Sequence, residues 1–399
     1  MRKSFKRPGV DAWFPGTCAE IHAPIARVGV IGAGVMGSGI AQWLAARGFE
    51  VVLLDVDEQA LNRARGIIAK LFAEVVSRGR TSEAEAETAS AAIHTTTDWG
   101  ELAKCDLIIE AIIEDLAAKQ SLFAKLASLV PPTTILASNT SALPIDAISA
   151  GLPGPERVIG IHFFNPVSRM PLVEVSLGSL TSRPTADRVA AWTRAIGKRT
   201  VFCRSSPGFI VTRILFFYLN EAMRIWSTQP DTRAIDQAML DFGMPMGPLR
   251  LIDEVGIDVT ACIIDGMCGY YAGRFEPATA AAKLVGASLK GRKSSAGFYH
   301  YSSSGEVVNE EAAAIAGAAP SGDPLTAAQI RDRLLDLMVR EAHGCIEEGV
   351  VKSAEDIDFA MLLGTGFPAS RGGLTQWAAA SGHPLFSRSP NLTIAPHPH

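Results

Sequence analysis

Three glycines, Gly32, Gly34 and Gly37, sit where an apolar run, Arg27-Val-Gly-Val-Ile31, gives way to a stretch of helical periodicity, Val35 to Arg47, with Ile40, Trp43 and Leu44 on one face. A glycine-rich hexamer by itself predicts only a tight turn. Between a strand and a helix, and with Asp55 closing the next apolar run, Val51-Val-Leu-Leu, it predicts a βαβ unit that binds a dinucleotide. Gly32 permits the turn, Gly34 lets the backbone approach a pyrophosphate, and Gly37 allows close helix–strand packing. The first N–H groups of the helix, around Val35 and Met36, then face the phosphates together with the positive end of the helix dipole. The Asp55 carboxylate would accept hydrogen bonds from ribose hydroxyls and repel a 2′-phosphate, which favours NAD over NADP.

Further compact apolar runs occur at Asp106-Leu-Ile-Ile-Glu110, Thr134-Ile-Leu-Ala137 and Val158-Ile-Gly-Ile161, with helical segments such as Leu116 to Val130 between them. Gln59 to Ser90 reads as two helices broken near Arg78-Gly79-Arg80. Strands alternating with helices predict a parallel sheet covered on both faces. Beyond about residue 204 the strands stop. Ser206-Pro207 offers a helix cap followed by proline at the first helical position, and a long apolar helix runs to about Trp226. The rest is mostly helical, with breaks at Gly243 to Pro248 and Ser302 to Gly305.

The helical part repeats itself. Thr212-Arg-Ile-Leu and Asn220-Glu-Ala return as Asp332-Arg-Leu-Leu and Arg340-Glu-Ala. Ile235-Asp-Gln-Ala-Met-Leu returns as Ile357-Asp-Phe-Ala-Met-Leu, and Gly243-Met-Pro as Gly366-Phe-Pro. Three matches in one order predict two copies of one unit. The expected fold is therefore an α/β Rossmann-type dinucleotide-binding domain followed by two related all-α domains. Its boundaries are an extension over 1–26, the Rossmann domain over 27–204, and helical domains over 205–301 and 302–399, the last ending in a flexible tail.

With 48% hydrophobic and 20% charged residues, the chain can bury a sizeable core. A net charge of −4 argues against a nucleic-acid partner. No run approaches the roughly 18 apolar residues that cross a bilayer, so no membrane insertion is expected. The basic start is followed by Asp11 and Pro15, where a signal peptide needs apolar residues. The six cysteines are scattered without a CxxC pair. A soluble, cytoplasmic protein without a metal site is expected.

For chemistry, His162 stands out because it ends an apolar strand and opens His162-Phe-Phe-Asn165-Pro166. Glu174 lies within Leu172-Val-Glu-Val175, among apolar neighbours, where a lone buried carboxylate is costly. Strand–turn–strand geometry could join them, either as a histidine base oriented by a carboxylate or as a structural core hydrogen bond. Ser138-Asn-Thr-Ser141 follows a strand end, where open parallel sheets place ligands, and reads equally as a capping turn.

From Arg27 to Tyr299 the chain resembles the L-3-hydroxyacyl-CoA dehydrogenase family of fatty-acid β-oxidation. The motifs are VGVIGAGVMGSGIA, EAIIEDLAAK, ILASNTSAL, IGIHFFNP with LVEV, SPGFIVTR, and GMPMGP with LIDEVGID. Asp323 to about Gly382 resembles the second helical domain of the multifunctional β-oxidation enzymes, through EEGVVKSAEDIDFAM and GTGFPASRGG. There a hydratase precedes the dehydrogenase. The short stretch before Arg27 leads us to expect none here, with a separate hydratase or thiolase partner left open.

The resemblance implies NAD as cofactor and an acyl-CoA substrate. His162 would be the general base for the 3-hydroxyl, Glu174 would stabilise its imidazolium, and Ser141 would hydrogen-bond the substrate oxygen. Glu114, Lys119, Ser141 and Asn165 would line the cofactor, and Lys293 would add a contact. Thr212 stands where the family has an asparagine in the catalytic constellation, which implies a loss of roughly 1–3 kcal/mol, about ten- to a hundred-fold in rate. Leu71 and Ser295 also depart from the pattern, while Arg78 and Arg80 remain for the CoA phosphates. Two other readings stay open: a weakly catalytic homologue that binds NADH or acyl-CoA, and an NAD-dependent dehydrogenase of another hydroxy acid. Single-domain members pair through their helical domains, so a second helical copy favours a monomer over a homodimer.

Overall fold

The structure, a computed structural model, describes residues 24–387. The expected N-terminal extension lies outside the described residues up to position 23, as does the expected tail from 388 onward. The first half runs β1 (Arg27–Ile31), α1 (Val35–Ala45), β2 (Glu50–Leu54), α2 (Glu58–Ser77), α3 (Glu83–Ala91) and β3 (Ile93–Thr96). It continues with β4 (Leu107–Glu110), α4 (Leu116–Leu129), β5 (Ile135–Ser138), α5 (Ile145–Ser149), β6 (Val158–Phe163), β7 (Leu172–Leu177), α6 (Arg183–Ala195) and β8 (Arg199–Arg204).

These strands form one sheet in the order β3-β2-β1-β4-β5-β6-β7-β8. All neighbours are parallel except β6 and β7, which pair antiparallel. Strands β4 to β7 are buried along their whole length, as expected where helices cover both faces. Strand order reverses at β1, which lies between β2 and β4, and open sheets of this kind bind ligands in that crevice. Helix starts differ there in a telling way. Asp57, Ser82 and Asp115 cap α2, α3 and α4 with their side chains, whereas α1 begins at Gly34 with no side-chain cap.

Contacts divide the chain into two compact units between Phe209 and Ile210. The second contains α7 (Val211–Thr228), α8 (Thr232–Phe242), α9 (Pro248–Val255), α10 (Ile257–Tyr270) and α11 (Ala280–Gly286). A hairpin, β9 (Tyr299–Ser302) and β10 (Gly305–Val308), leads to α12 (Glu311–Ala316), α13 (Ala327–Glu347), α14 (Ala354–Thr365) and α15 (Leu374–Ala380). The repeat appears as structure: α7, α8 and α9 recur as α13, α14 and α15. Asp236 accepts hydrogen bonds from the backbone N–H groups of Leu249 and Arg250 at the start of α9, and Asp358 accepts from Thr375 and Gln376 at the start of α15. Both copies lie within one unit, and α13 packs along α7.

Two expectations are corrected. Strands do not stop near residue 204, because β9 and β10 pair antiparallel across the expected 301/302 boundary. Tyr299 and Tyr301 hold that hairpin by donating to the buried carboxylates of Asp236 and Asp253, contacts that spacing along the chain does not reveal. The long helix begins at Val211 rather than at Ser206-Pro207. Gly208 and Phe209 both take positive φ, 73° and 51°, which no helix continues.

Candidate active site

The crevice beside β1 is built by its backbone. A Cβ on Gly32 would collide with the Ala111 carbonyl, and one on Gly37 with the Gly32 carbonyl, so strand β4 and helix α1 close in only because both residues are glycine. A Cβ on Gly34 would meet nothing within 4 Å, so that position opens onto free space. The uncapped N–H groups of Val35, Met36 and Gly37 begin at the same point. This is a fitting cradle for a pyrophosphate.

Asp55, just past β2, accepts hydrogen bonds from Ala33 N at 2.7 Å and Asp57 N at 3.0 Å. It borders a cavity of about 340 Å³ that also exposes Val56, Trp99, Ile112, Leu122 and Lys125. The Lys125 ammonium lies 3.2 Å from the centre of the Trp99 ring. Such an apolar slot beside a carboxylate suits an adenosine, with the base against the apolar side chains and the ribose toward Asp55.

At the other end of the sheet, the antiparallel register sets His162 of β6 directly opposite Glu174 of β7. Both side chains are buried, and His162 Nδ1 lies 2.7 Å from Glu174 Oε2. A carboxylate can only accept at that distance, so Nδ1 carries the hydrogen, and the tautomer this fixes leaves Nε2 as the nitrogen that can accept a proton. Ser141 Oγ lies 3.0 Å from Nε2. The rings of Phe164 and Phe209 flank the imidazole, with centroids at 4.4 and 6.0 Å. A hydroxyl, an oriented imidazole and a buried carboxylate thus form one chain that can take up and hold a proton.

Glu114 fixes the serine loop. Its Oε1 accepts from Thr140 Oγ1 at 2.5 Å, Ser141 N at 2.9 Å and Ala142 N at 3.0 Å. Burial alone would raise the Glu114 pKa, but the charge of Lys119 and the donors Thr140 and Ala142 outweigh it and hold the carboxyl below its ordinary value. Lys119 is buried between two acids, 2.5 Å from Glu110 and 3.2 Å from Glu114. Glu110 also accepts from Ser138 Oγ at 2.5 Å and Ile112 N at 2.8 Å. Asn139 Oδ1 accepts from Phe163 N at 2.8 Å and ties this loop to β6.

The structure therefore brings together Ser141, His162 and Glu174, joins Glu114 and Lys119 to the loop of Ser141, and places Asp55 on the glycine turn. Asn165 is exposed just past β6. In the helical unit, Thr212 is buried in the first turn of α7, and Lys293 pairs with Asp258 at 2.5 Å. Sequence reasoning passed over Glu110, Asn139, Trp99 and Lys125. Glu110 carried a usable signal, the same one that marked Glu174: a carboxylate in a short strand of otherwise apolar residues.

Residues 27–206 match the NAD-binding domain of 3-hydroxyacyl-CoA dehydrogenase, and residues 208–301 match that enzyme's C-terminal domain. The 3-hydroxybutyryl-CoA dehydrogenase of Escherichia coli K12 is 30% identical over 91% of this chain and 96% of its own, with a TM-score of 0.74. The (S)-3-hydroxybutyryl-CoA dehydrogenase of Ralstonia eutropha is 34% identical over 70% of this chain and 99% of its own, with a TM-score of 0.66. The dehydrogenase part of multifunctional enzyme 1 from C. elegans is 28% identical over 94% of this chain and 88% of its own, with a TM-score of 0.60. Among the described residues no helix is long and apolar enough to cross a membrane. The chain belongs to the 3-hydroxyacyl-CoA dehydrogenase family, as an NAD-dependent oxidoreductase with a Rossmann domain.

Proposed function

We propose that this protein interconverts L-3-hydroxyacyl-CoA and 3-oxoacyl-CoA, in fatty-acid β-oxidation or a related acyl-CoA pathway of the cytoplasm. The observation that carries the reading is the Ser141–His162–Glu174 chain, with 3.0 and 2.7 Å between its members. His162 Nε2 takes the proton from the 3-hydroxyl. Glu174 holds the imidazole in the productive tautomer and offsets the charge of the imidazolium. Ser141 donates to the substrate oxygen as the alcohol becomes a carbonyl. When bound in the glycine cradle, NAD would supply the hydride acceptor for C3.

Gly32, Gly34, Val35, Met36 and Gly37 hold the pyrophosphate in this scheme, and Asp55 the adenosine ribose. Glu114 and Lys119 shape the far side of the cofactor site through the serine loop, while Asn165 and Lys293 add contacts to the cofactor. Thr212 assists more weakly than the amide usual in the family. Replacing it by asparagine is expected to raise kcat about tenfold, the worth of one positioned hydrogen bond.

The test is NADH consumption with acetoacetyl-CoA and with a long-chain 3-oxoacyl-CoA, with NADPH as the control. Turnover with NADH and little with NADPH supports the reading, and the two substrates rank chain length. NADH binding without turnover of either would overturn it in favour of a non-catalytic binding protein.

A further inference from the structure

Lys198 is a buried charge that the proposed chemistry does not use. It stands between α6 and β8, after Gly197, whose φ of 72° turns the chain, and it is only 5% exposed. Its ammonium donates to the backbone carbonyls of Val167 at 2.5 Å and Met170 at 2.7 Å. It also lies 3.7 Å from the centre of the Trp43 ring of α1, and the Trp43 indole N–H donates to Ile196 O at 3.1 Å. The partners are two carbonyls and a ring face rather than a carboxylate. The charged group facing it is Arg47, in the turn just past α1, whose guanidinium lies 3.0 Å from the centre of the same ring. Arg169, on the connection itself, is taken up by Glu74 at 2.6 Å.

Burial, with repulsion from Arg47, lowers the Lys198 pKa to about 7. Its two hydrogen bonds to backbone carbonyls are contacts that an apolar side chain of the same length could not make. What it grips is the connection of residues 164–171, which joins the strand of His162 to the strand of Glu174 and carries Asn165. The same connection meets α1 through Val167, whose Cγ2 would lie 3.2 Å from a Cβ placed on Gly39. Helix α1 is the one whose N-terminus forms the phosphate cradle. Two contacts therefore hold the connection: the ammonium on the carbonyls of Val167 and Met170, and the Val167 side chain against Gly39 of the dinucleotide-binding helix.

We propose that Lys198 is a positioning residue for hydride transfer: its ammonium fixes the 164–171 connection and so sets His162 and Asn165 relative to the bound cofactor. The proposal rests on the dehydrogenase reading above. Its experiment compares wild type, Lys198→Met and Gly39→Ala in NADH oxidation by acetoacetyl-CoA. NADH protiated or deuterated at C4 reports on the hydride step, fluorescence titration gives NADH affinity, and thermal unfolding checks folding.

A folded Lys198→Met protein should lose ten- to a hundred-fold in kcat and show an enlarged isotope effect. Its NADH affinity should stay within about threefold, because the adenosine end is untouched. Gly39→Ala pushes on the Val167 side chain and should give a smaller fall in kcat with the same isotope signature. A folded Lys198→Met protein with wild-type kcat and isotope effect would overturn the proposal. If that variant fails to fold, an unchanged isotope effect in Gly39→Ala overturns it. Absence of turnover in the wild type would instead defeat the dehydrogenase reading.

Discussion

Arg213, near the start of α7, donates through Nε to Glu341 of α13 at 2.9 Å. The sequence repeat makes Arg333 the counterpart of Arg213 and Glu221 that of Glu341, and Arg333 donates to Glu221 at 2.5 Å. Each copy thus supplies the arginine for the other copy's glutamate. The two Gly-x-Pro turns answer in the same way. A Cβ on Gly366 would lie 2.9 Å from Pro245 Cγ, and one on Gly243 would lie 3.1 Å from Pro368 Cγ. Reciprocal contacts of this kind mark a two-fold interface, here contained in one chain.

From this internal pairing we predict that the helical unit does not pair with that of a second chain. Sedimentation equilibrium over micromolar concentrations is expected to give the mass of one chain. A tight dimer would show that the internal pairing does not replace the external one.

Arg213 is fully buried and also meets Glu348 at 2.7 Å. Arg213→Met leaves the buried Glu341 with the more distant, half-exposed Arg274 at 3.6 Å in place of its 2.9 Å partner and should cost about 3 kcal/mol in urea unfolding. Adding Glu341→Leu should restore part of that loss, since the pair is then replaced rather than broken. Additive losses in the double variant would contradict the pairing.

Burial pushes the Asp236 carboxyl up to about 6, although Tyr299, Leu249 and Arg250 donate hydrogen bonds to its charged form. The unfolded chain releases that proton near 4. The native state therefore binds it more tightly, and this contribution to stability is full below about pH 4 and lost as pH rises to about 6. Relative to Asp236→Asn, the wild type should lose on the order of 2–3 kcal/mol between pH 4 and 6.5. A wild type that gains on the variant over that window would refute the assignment.

If the adenine rests against Trp99, Trp99→Ala should raise the KM for NADH about three- to tenfold, the worth of one ring contact, and leave kcat nearly unchanged. A fall in kcat at constant KM would place the adenine elsewhere.

Strands β1, β2 and β4 to β7 were legible because each is dominated by a compact apolar run and the first turn needs glycine at fixed spacing, whereas β8, Arg-Thr-Val-Phe-Cys-Arg, was not read as a strand. Edge strand β3, Ile-His-Thr-Thr, has one apolar residue in four and gives no such signal. The pair of His162 and Glu174 could be suspected from two polar residues in apolar strands, but only the antiparallel register sets them face to face. Of the supports of the site, Glu114 and Lys119 were named only through the family resemblance and Lys198 not at all, because each acts on a loop that is close in space and nothing in its local sequence names the carbonyl or N–H it meets. The helix before Val211 was misplaced because Ser206-Pro207 is a good local start, while Gly208 N is held by the Ala142 carbonyl at 3.0 Å, a contact remote in sequence.

The central claim is that His162, oriented by Glu174, moves the proton. The direct measurement is kcat for NADH oxidation by acetoacetyl-CoA in wild type, His162→Ala and Glu174→Gln, each checked for NADH binding. We predict losses on the order of 10² to 10⁴ for His162→Ala and a large but smaller loss for Glu174→Gln, with NADH affinity retained in both. Turnover in His162→Ala within a few-fold of wild type would contradict the account.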